Sequence, residues 1–258
     1  MSEPLLEVKG LTKKYGGLTA LNNVSFSLYP GEIVALIGPN GAGKTTLLHH
    51  MMGILKPTAG KIIYKGHDIT GHHPWDIVGR GLVGTFQVVK PFRHMPCIMN
   101  VVVASLVSRK KRGEWTKRME TRARDALEFV GIADLALERA DVLSHGDLKR
   151  LEIAKAIATE PELLLLDEPF GGLNPAETEL IANSIRRLHK GGRFGRLHSE
   201  EMSMVIVEHK LAELMRIVDR VIVLNFGEVL AIGSPQEVVN DPQVIKAYIG
   251  KEVVFHAS

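Results

Sequence analysis

Hydrophobic and polar residues alternate in two early segments of the chain, 6–9 and 23–28. A period of two predicts half-exposed strands, and we expect both in an antiparallel sheet together with a strand at 61–66. Residues 32–37, 163–166 and 203–207 are apolar almost throughout. Such runs predict strands that are buried on both faces. A hairpin is predicted from 221–224 and 229–232.

Between these strands the apolar residues recur with the period of a helix. Helices are predicted after residue 46 and at 147–159, 175–190, 211–218 and 238–250, and helical periodicity runs from 101 to 140. The segment 147–159 is predicted to be strongly amphipathic. Residues 70–84 are expected to form a short helix with loops, and 191–199 a surface insertion away from the chemistry. Strands that alternate with helices favour an α/β fold with a parallel sheet covered on both faces.

Composition excludes several classes of protein. The 258 residues are 45% hydrophobic and 24% charged, which is typical of a globular chain with a real core. The net charge of +3 is too small to indicate nucleic-acid binding. The single cysteine, Cys97, excludes an internal disulfide and fits a reducing cytosol. We expect no secretion signal at the start of the chain, and the longest apolar runs are too short to span a bilayer.

Three local features allow both a functional and a structural interpretation. The charge-dense segment 108–124 is either a basic patch or the solvated face of a helical subdomain, and interleaved acidic residues favour the second. The adjacent pairs His49–His50 and His72–His73 are favoured as packed or solvated residues over metal ligands. Trp75 and Trp115 are partner anchors or packing residues, and the sequence leaves both open.

The chemistry is organised around residues 38–46, which follow a buried strand and precede a helix. The segment fits the phosphate-loop pattern G-x-x-x-x-G-K-[ST], in which glycines let the backbone wrap an anion. The helix directs free N–H groups and its positive dipole end at phosphates. Lys44 is predicted to reach the β- and γ-phosphates, and the Thr45 hydroxyl to bind Mg²⁺. The predicted nucleotide-binding residues here are Gly38, Asn40, Gly41, Ala42, Gly43, Lys44, Thr45 and Thr46.

A second candidate group is the pair of carboxylates that ends the buried strand at 163–166. An acid at the carboxyl end of a strand, beside a phosphate loop, suits water-mediated Mg²⁺ binding, which is the role predicted for Asp167. The next residue, Glu168, is a candidate general base that polarises the attacking water. The alternative is a strand-end aspartate that caps a turn.

With these motifs, the chain resembles the ATP-binding subunits of ABC transporters along nearly its whole length. The resemblance extends to Gln87 in Thr-Phe-Gln, to Leu-Ser-His-Gly-Asp at 143–147 as the signature, and to Gly-Gly-Leu-Asn at 171–174 as the D-loop. His209 matches the switch histidine, and Tyr15 the aromatic residue that stacks on adenine. All of these motifs occur in the family's order. The implied fold is a P-loop NTPase, RecA-like core with an antiparallel β-subdomain and an inserted α-helical subdomain.

The resemblance also implies domain limits, a mechanism and partners. We expect one ABC ATPase domain over 1–258, with core and β-subdomain at about 1–90 and 160–258 and the helical subdomain at about 91–159. Two chains would close head to tail on two ATP molecules, and each site would take Ser144 and the backbone around Gly146 from the other chain. His145 and Asn174 are further predicted nucleotide-binding residues. Gln87 would contact Mg²⁺ or the attacking water, and His209 the γ-phosphate, with Lys44 and Glu168 completing the catalytic set.

The expected partners are a second ATPase subunit, identical or related, transmembrane permease subunits and, indirectly, a periplasmic or extracytoplasmic binding protein. The permease contact would follow Gln87, at 88–96, and the chain would be peripheral on the cytoplasmic face of the membrane. No nucleic acid is expected. Two departures from the family pattern occur in the signature: His145 replaces a glycine and Asp147 replaces the usual glutamine. The D-loop ends in Asn174 rather than aspartate.

Finer features resemble the ATPases of branched-chain amino acid importers, notably 85–93, 150–155, 167–175 and the ending 233–250. Uptake of branched-chain amino acids is therefore the expected function. Urea or amide importers and lipid or lipopolysaccharide exporters remain alternatives of the same fold. A soluble ABC module is a third, and a nucleotide-binding regulator that does not hydrolyse ATP is a fourth, motivated by His145.

Overall fold

A computed structural model describes residues 3–106, 117–194, 197–199 and 202–249. Most of the charge-dense segment 108–124, with Trp115, lies outside these ranges, as does the end of the predicted terminal helix. The strands are β1 Leu6–Tyr15, β2 Leu18–Leu28, β3 Ile33–Ile37, β4 Ala59–Tyr64, β5 His67–Asp68, β6 Leu82–Gly84, β7 Leu163–Asp167, β8 Gly192–Phe194, β9 Leu197–Ser199, β10 Ser203–Val207, β11 Arg220–Asn225 and β12 Glu228–Gly233. The helices are α1 Lys44–Met51, α2 Pro74–Gly79, α3 Cys97–Ser105, α4 Lys117–Phe129, α5 His145–Ile157, α6 Pro175–His189, α7 Leu211–Leu214, α8 Pro235–Asn240 and α9 Pro242–Ile249.

The chain forms two compact units: a terminal unit of Met1–Pro74 with Ser203–Ser258, and a central unit of Trp75–Met202. The terminal unit holds an antiparallel sheet in the order β2-β1-β4-β5 and a run of strands in the order β12-β11-β3-β10. In that run β3 pairs in parallel with β10 and β11. Every residue of β3 and β10 is buried, as their continuous apolar sequences predict.

Two polar anchors fix the start of β3, the strand that leads into the phosphate loop. The Arg220 guanidinium pairs with the Glu32 carboxylate at 2.6 Å. The carboxylate of Asp219 accepts a hydrogen bond from the Ile33 amide at 2.8 Å. Both partners come from the segment that enters β11, so the entry to β3 is held from the neighbouring strand.

The central unit combines a parallel strand pair, β6 with β7, and a cluster of helices in which α3, α4 and α5 pack on one another. Val101, Leu127 and Leu151 are fully buried within these three helices. Helix α5 differs from the predicted amphipathic helix: it starts two residues earlier and is buried on most of its circumference. The reason is that helices and loops of the unit surround it, so even Lys149 and Glu152 are buried.

Three predicted segments differ in the structure. The terminal helix is broken into α8 and α9 at Asp241, because Pro242 lacks an amide N–H and restricts the residue before it. The segment predicted as a helix at 211–218 is helical only over Leu211–Leu214. The segment at 191–199 contains a short antiparallel hairpin of β8 with β9, in which Arg193 lies opposite His198.

Candidate functional site

The phosphate loop joins β3 to α1 in the terminal unit. Gly43 is the N-cap of α1, with φ 101° and ψ 4°, and no side chain among the described residues caps this helix end. The N-terminus of a helix carries unsatisfied N–H groups and a partial positive charge, so an anion is its natural partner. The loop therefore fits the phosphates of a nucleotide.

Two glycines of the loop are required by close contacts. A Cβ on Gly43 would lie 2.7 Å from Cδ2 of Leu21 and 2.8 Å from the carbonyl oxygen of Ala20, at a φ that side chains avoid. A Cβ on Gly38 would lie 2.1 Å from the carbonyl oxygen of Leu224. The loop backbone thus packs directly on β2 and β11, and glycine is the only residue that allows it.

Lys44 is only 7% exposed, and its ammonium donates to the carbonyls of Gly38 at 2.7 Å and Pro39 at 3.0 Å. The loop's own carbonyls therefore hold the buried charge at the centre of the loop. Thr45 is exposed in the first turn of α1, where its hydroxyl suits a hard cation such as Mg²⁺. Asn40 and Gly41 are also exposed, Thr46 is half-buried and Ala42 is buried.

A cavity of about 990 Å³ opens beside the loop within the terminal unit. Its lining includes Gly38, Pro39, Asn40, Gly41, Ala42, His209, Asn225, Phe226, Leu230, Gln243, Lys246, Ala247 and Tyr248. The structure thus places the predicted switch residue His209 in the same cavity as the loop. The Glu208 carboxylate accepts the amide N–H groups of His209 at 2.8 Å and Lys210 at 3.2 Å, which fixes the turn after β10.

Tyr15 ends β1 and is 47% exposed. The ammonium of Lys13 lies 4.9 Å from the centre of its ring, which is a cation–π distance. Tyr15 is not among the described residues that line the cavity. Its predicted role in stacking on adenine stays a prediction.

The central unit holds the predicted acidic residues. Asp167 ends β7 and is 2% exposed, and its amide donates to the Thr85 hydroxyl at 3.3 Å. Glu168 follows with a positive φ of 49°, which is a strained conformation for a residue with a side chain. The strand ends here and a turn begins. The side-chain amide of Gln87 donates to the Glu168 carboxylate at 2.9 Å. The structure therefore brings the two residues predicted to handle the attacking water into direct contact.

Lys149 has a role that the motifs did not predict. It is 5% exposed on α5, and its ammonium donates to the backbone carbonyls of Gln87 at 3.0 Å and Glu168 at 2.9 Å. One buried cation thus ties both candidate catalytic turns to the helix that follows the signature. The helix face that Lys149 shares with Gly146 and Ile153 could have indicated its burial, but not its two backbone partners.

The signature opens α5, with Ser144 as its N-cap. The Ser144 hydroxyl accepts the Asp147 amide at 3.1 Å and donates to the Asp147 carboxylate at 2.6 Å. Asp147 also forms an ion pair with Arg150. Ser144 therefore caps α5 through the Asp147 amide, and Asp147, which replaces the usual glutamine, holds the serine hydroxyl through its carboxylate.

His145 turns its ring toward the D-loop. Its Nε2 lies 3.0 Å from the carbonyl oxygen of Gly171, and this nitrogen donates because a carbonyl only accepts. A Cβ on Gly172 would lie 2.9 Å from the same nitrogen. The histidine is thus accommodated with its side chain on the D-loop of its own chain, and the backbone of Gly146 keeps its place in the first turn of α5.

Asn174 and Glu177 form a reciprocal capping box at the start of α6. The Asn174 side chain accepts the Glu177 amide at 2.9 Å, and the Glu177 carboxylate accepts the Asn174 amide at 3.0 Å. A Cβ on Gly146 would lie only 2.5 Å from an oxygen of the same carboxylate. Glu177 was missed as a site residue, although the spacing Asn-x-x-Glu before an apolar helix is a capping signal in the sequence.

Among the described residues, no cluster of three or more His, Cys, Asp or Glu is placed to hold a metal ion by itself. His50 is 2% exposed with Nδ1 2.9 Å from the Leu55 carbonyl oxygen, and burial lowers its pKa. Both facts support the interpretation of His50 as a packed residue. Over the ranges that the structure describes, each helix is too short or too polar to cross a membrane.

Comparisons with known proteins extend this picture. Residues 21–171 match the family model described as ABC transporter, and 228–254 match one described as branched-chain amino acid ATP-binding cassette transporter. The chain is 41% identical to the high-affinity branched-chain amino acid transport ATP-binding protein LivG of Escherichia coli, over 97% of this chain and 100% of LivG. It is 37% identical to BraF of Pseudomonas aeruginosa, over 97% and 100% of the two chains. A solved ATP-binding cassette of an ABC transporter superposes with a TM-score of 0.84 at 30% identity, covering 96% of this chain and 100% of that one.

Proposed function

The chain belongs to the ABC transporter family, and from this premise we propose that it hydrolyses ATP to drive the uptake of branched-chain amino acids. The observation that carries the ATPase assignment is the phosphate loop, with its uncapped helix end and its buried Lys44. The substrate rests on the names of LivG and BraF and on the terminal family match at 228–254. The alternative substrates named from the sequence lack a comparable observation.

In this proposal the loop backbone and Lys44 bind the β- and γ-phosphates of ATP. Thr45, Gln87 and Asp167 would supply the hydroxyl, amide and carboxylate oxygens that Mg²⁺ prefers. When bound, Mg²⁺ neutralises charge on the phosphates. Glu168 takes the proton of the attacking water, and the hydrogen bond from Gln87 orients its carboxylate. His209, in the same cavity as the loop, donates to the charge that develops on the γ-phosphate.

We further propose that a second ATPase subunit completes each site. Its Ser144 and the backbone around Gly146 would close on the nucleotide held by the first chain, with His145 and Asn174 as further nucleotide-binding residues. Permease subunits would bind at 88–96, where Val88 and Phe92 are exposed apolar residues, and would place the chain on the cytoplasmic face of the membrane. An extracytoplasmic binding protein would deliver the amino acid to the permease.

The test of the enzyme is Glu168→Gln, which removes the base and keeps the side chain's size and its contact with Gln87. We expect ATP turnover to fall by about 10²–10⁴-fold while the binding of an ATP analogue is retained. Glu128→Gln on the exposed face of α4 is the matched control and should behave as the wild type. A wild type that turns over ATP no faster than Glu168→Gln would sink the assignment as an ATPase.

The test of the substrate is uptake of labelled leucine by cells that lack the gene. The wild-type chain should restore uptake and Glu168→Gln should not. If the chain hydrolyses ATP but does not restore leucine uptake to these cells, the proposed substrate is wrong and the ATPase assignment still holds.

A further inference from the structure

Lys149 carries a buried charge that two backbone carbonyls hold in place. The residue is 5% exposed, and its ammonium donates to the carbonyl oxygens of Gln87 at 3.0 Å and Glu168 at 2.9 Å. A buried ammonium is stable only where such bonds replace its water, and a bond from a charged donor is stronger than one between neutral groups. The positions of the ammonium and of the two carbonyls are therefore coupled.

The two carbonyls belong to the same residues whose side chains meet. The Gln87 side-chain amide donates to the Glu168 carboxylate at 2.9 Å, although the two residues lie 81 positions apart in the sequence. Gln87 and Glu168 are thus joined twice, once through their side chains and once through the ammonium of Lys149. The ammonium holds the backbone from which each of the two side chains reaches the other.

The backbone of Glu168 depends on such support, because its conformation is strained. Its φ of 49° is unfavourable for a residue with a side chain and persists only where the surroundings hold it. The carbonyl oxygen of Glu168 accepts two donors, the Lys149 ammonium at 2.9 Å and the Gly171 amide at 3.1 Å. These bonds fix the peptide group that follows Glu168, and with it the direction in which the carboxylate leaves the backbone.

The support comes from a well-packed helix. Lys149 lies in the second turn of α5, on which Leu151 and Ile153 are buried. α5 packs on α3 and α4 within the central unit. The helix that opens with the signature therefore holds both candidate catalytic residues through one side chain.

We propose that Lys149 is a positioning residue for hydrolysis, which holds Glu168 and Gln87 in the geometry that acts on the attacking water. This inference rests on the proposed function, because it concerns the base named there. Displacement of a reacting group by about 1 Å can cost about 100-fold in rate, so the loss of two backbone anchors should be measurable. Both anchored carbonyls lie outside the phosphate loop at 38–46, so Lys149 acts on the rate of hydrolysis and not on the affinity for ATP.

The test is Lys149→Met, which removes the ammonium and keeps a long unbranched side chain. We expect kcat at saturating ATP to fall by about 10–100-fold, while the Kd of an ATP analogue that is not hydrolysed stays within about twofold. Tm should also fall, because two carbonyls lose a donor.

Lys155→Met is the matched control on the same helix. Lys155 is half-buried and pairs with Glu152 at 2.9 Å. Its replacement should lower Tm through the loss of this pair and leave kcat within about twofold. The control thus separates a loss of stability from a loss of positioning.

A double variant shows whether Lys149 acts through the base. In Glu168→Gln the base is already absent, so adding Lys149→Met should change the residual kcat by less than about threefold. If Lys149→Met does not fold, Lys149→Gln takes its place in every comparison. Its amide keeps a donor but is one bond shorter than the ammonium, so it cannot hold both carbonyls in place, and kcat should fall by at least about threefold.

Three results overturn this inference alone: wild-type kcat in the Lys149 variant, a parallel loss of kcat and analogue binding, and an equal fold-loss of kcat with and without Glu168. The second would mean that Lys149 only stabilises the fold, and the third that it does not act through the base. A wild type that turns over ATP no faster than Glu168→Gln overturns the proposed function, and this inference with it.

Discussion

Helix α1 and helix α5 both begin at a sequence motif expected to meet phosphate, but their first turns are built differently. α1 begins after Gly43, and no side chain among the described residues caps it. α5 begins after Ser144, whose hydroxyl bonds both the amide and the carboxylate of Asp147. Arg150 in turn pairs with that carboxylate. No described side chain closes the first helix end, whereas three side chains close the other.

The difference indicates when each end becomes ready for an anion. The loop before α1 has its shape fixed by glycines and by the Lys44 contacts, so we expect it to receive a phosphate with little rearrangement. The first turn of α5 carries an acid, which stabilises a helix N-terminus by itself but repels a phosphate. Engagement of the signature in a closed dimer would therefore require the Ser144 hydroxyl to exchange its acceptor.

The largest expected effect comes from Gly43→Ala. The new Cβ would meet a backbone oxygen at 2.8 Å in a left-handed conformation, and neither strain is relieved by moving a side chain alone. We expect a loss of about 2 kcal/mol or more in the free energy of unfolding, measured in urea, and no measurable binding of an ATP analogue.

Gly41→Ala is the matched control for this prediction. Gly41 also has a positive φ, of 81°, but a Cβ there would meet no atom within 4 Å. Gly41→Ala should therefore lower the free energy of unfolding by about 1 kcal/mol, which is the cost of the backbone conformation alone. Equal losses in the two variants would show that close packing of the loop is not what requires Gly43.

A smaller effect is expected from the matching change in the signature, Gly146→Ala. Here the Cβ would meet only the Glu177 carboxylate at 2.5 Å, the end of a flexible side chain. Alanine favours the helix by about 1 kcal/mol, and displacing Glu177 from its capping box costs about as much. The free energy of unfolding should change by less than about 1 kcal/mol.

Glu177→Ala separates the helix preference of alanine from the displacement of Glu177. Alone, this substitution should lower the free energy of unfolding by about 1 kcal/mol, because the α6 cap is lost. With Glu177 already absent, Gly146→Ala should be stabilising. If the double variant is instead less stable than Glu177→Ala, the contact between Gly146 and Glu177 does not explain the glycine.

The comparison also explains which parts of the molecule the sequence could predict. The family and the fold were predicted from the joint occurrence of the motifs in the family's order, and the comparisons confirm both. The phosphate loop was predicted because a glycine pattern between a strand and a helix fixes the shape of a loop locally. The same holds for the strand that ends in Asp167 and Glu168. The break at Asp241 was missed, although Pro242 was a visible local signal for it.

Other contacts were beyond the reach of local patterns. Tyr248 lines the same cavity as Gly38, 210 positions away in the sequence, and no periodicity relates the two. Lys149 contacts the backbone carbonyls of Gln87 and Glu168, and the sequence of α5 does not indicate which residues these partners are. The roles predicted for His209 and Tyr15 depend on a bound nucleotide and stay predictions.

A small change that alters one charge is the sharpest test of the comparison. Asp147→Asn keeps an acceptor for the Ser144 hydroxyl but removes the charge and the ion pair with Arg150. The half-buried pair and the helix dipole together should contribute about 0.5–1 kcal/mol, so their loss should lower Tm by about 1–4 °C. The KM for ATP should fall at the same time, because the carboxylate no longer opposes the γ-phosphate.

Asp134→Asn, on an exposed turn after α4, is the matched control and should alter neither Tm nor KM. A lower Tm with an unchanged KM would mean that Asp147 only caps α5, and that the two helix ends differ in stability but not in readiness for phosphate.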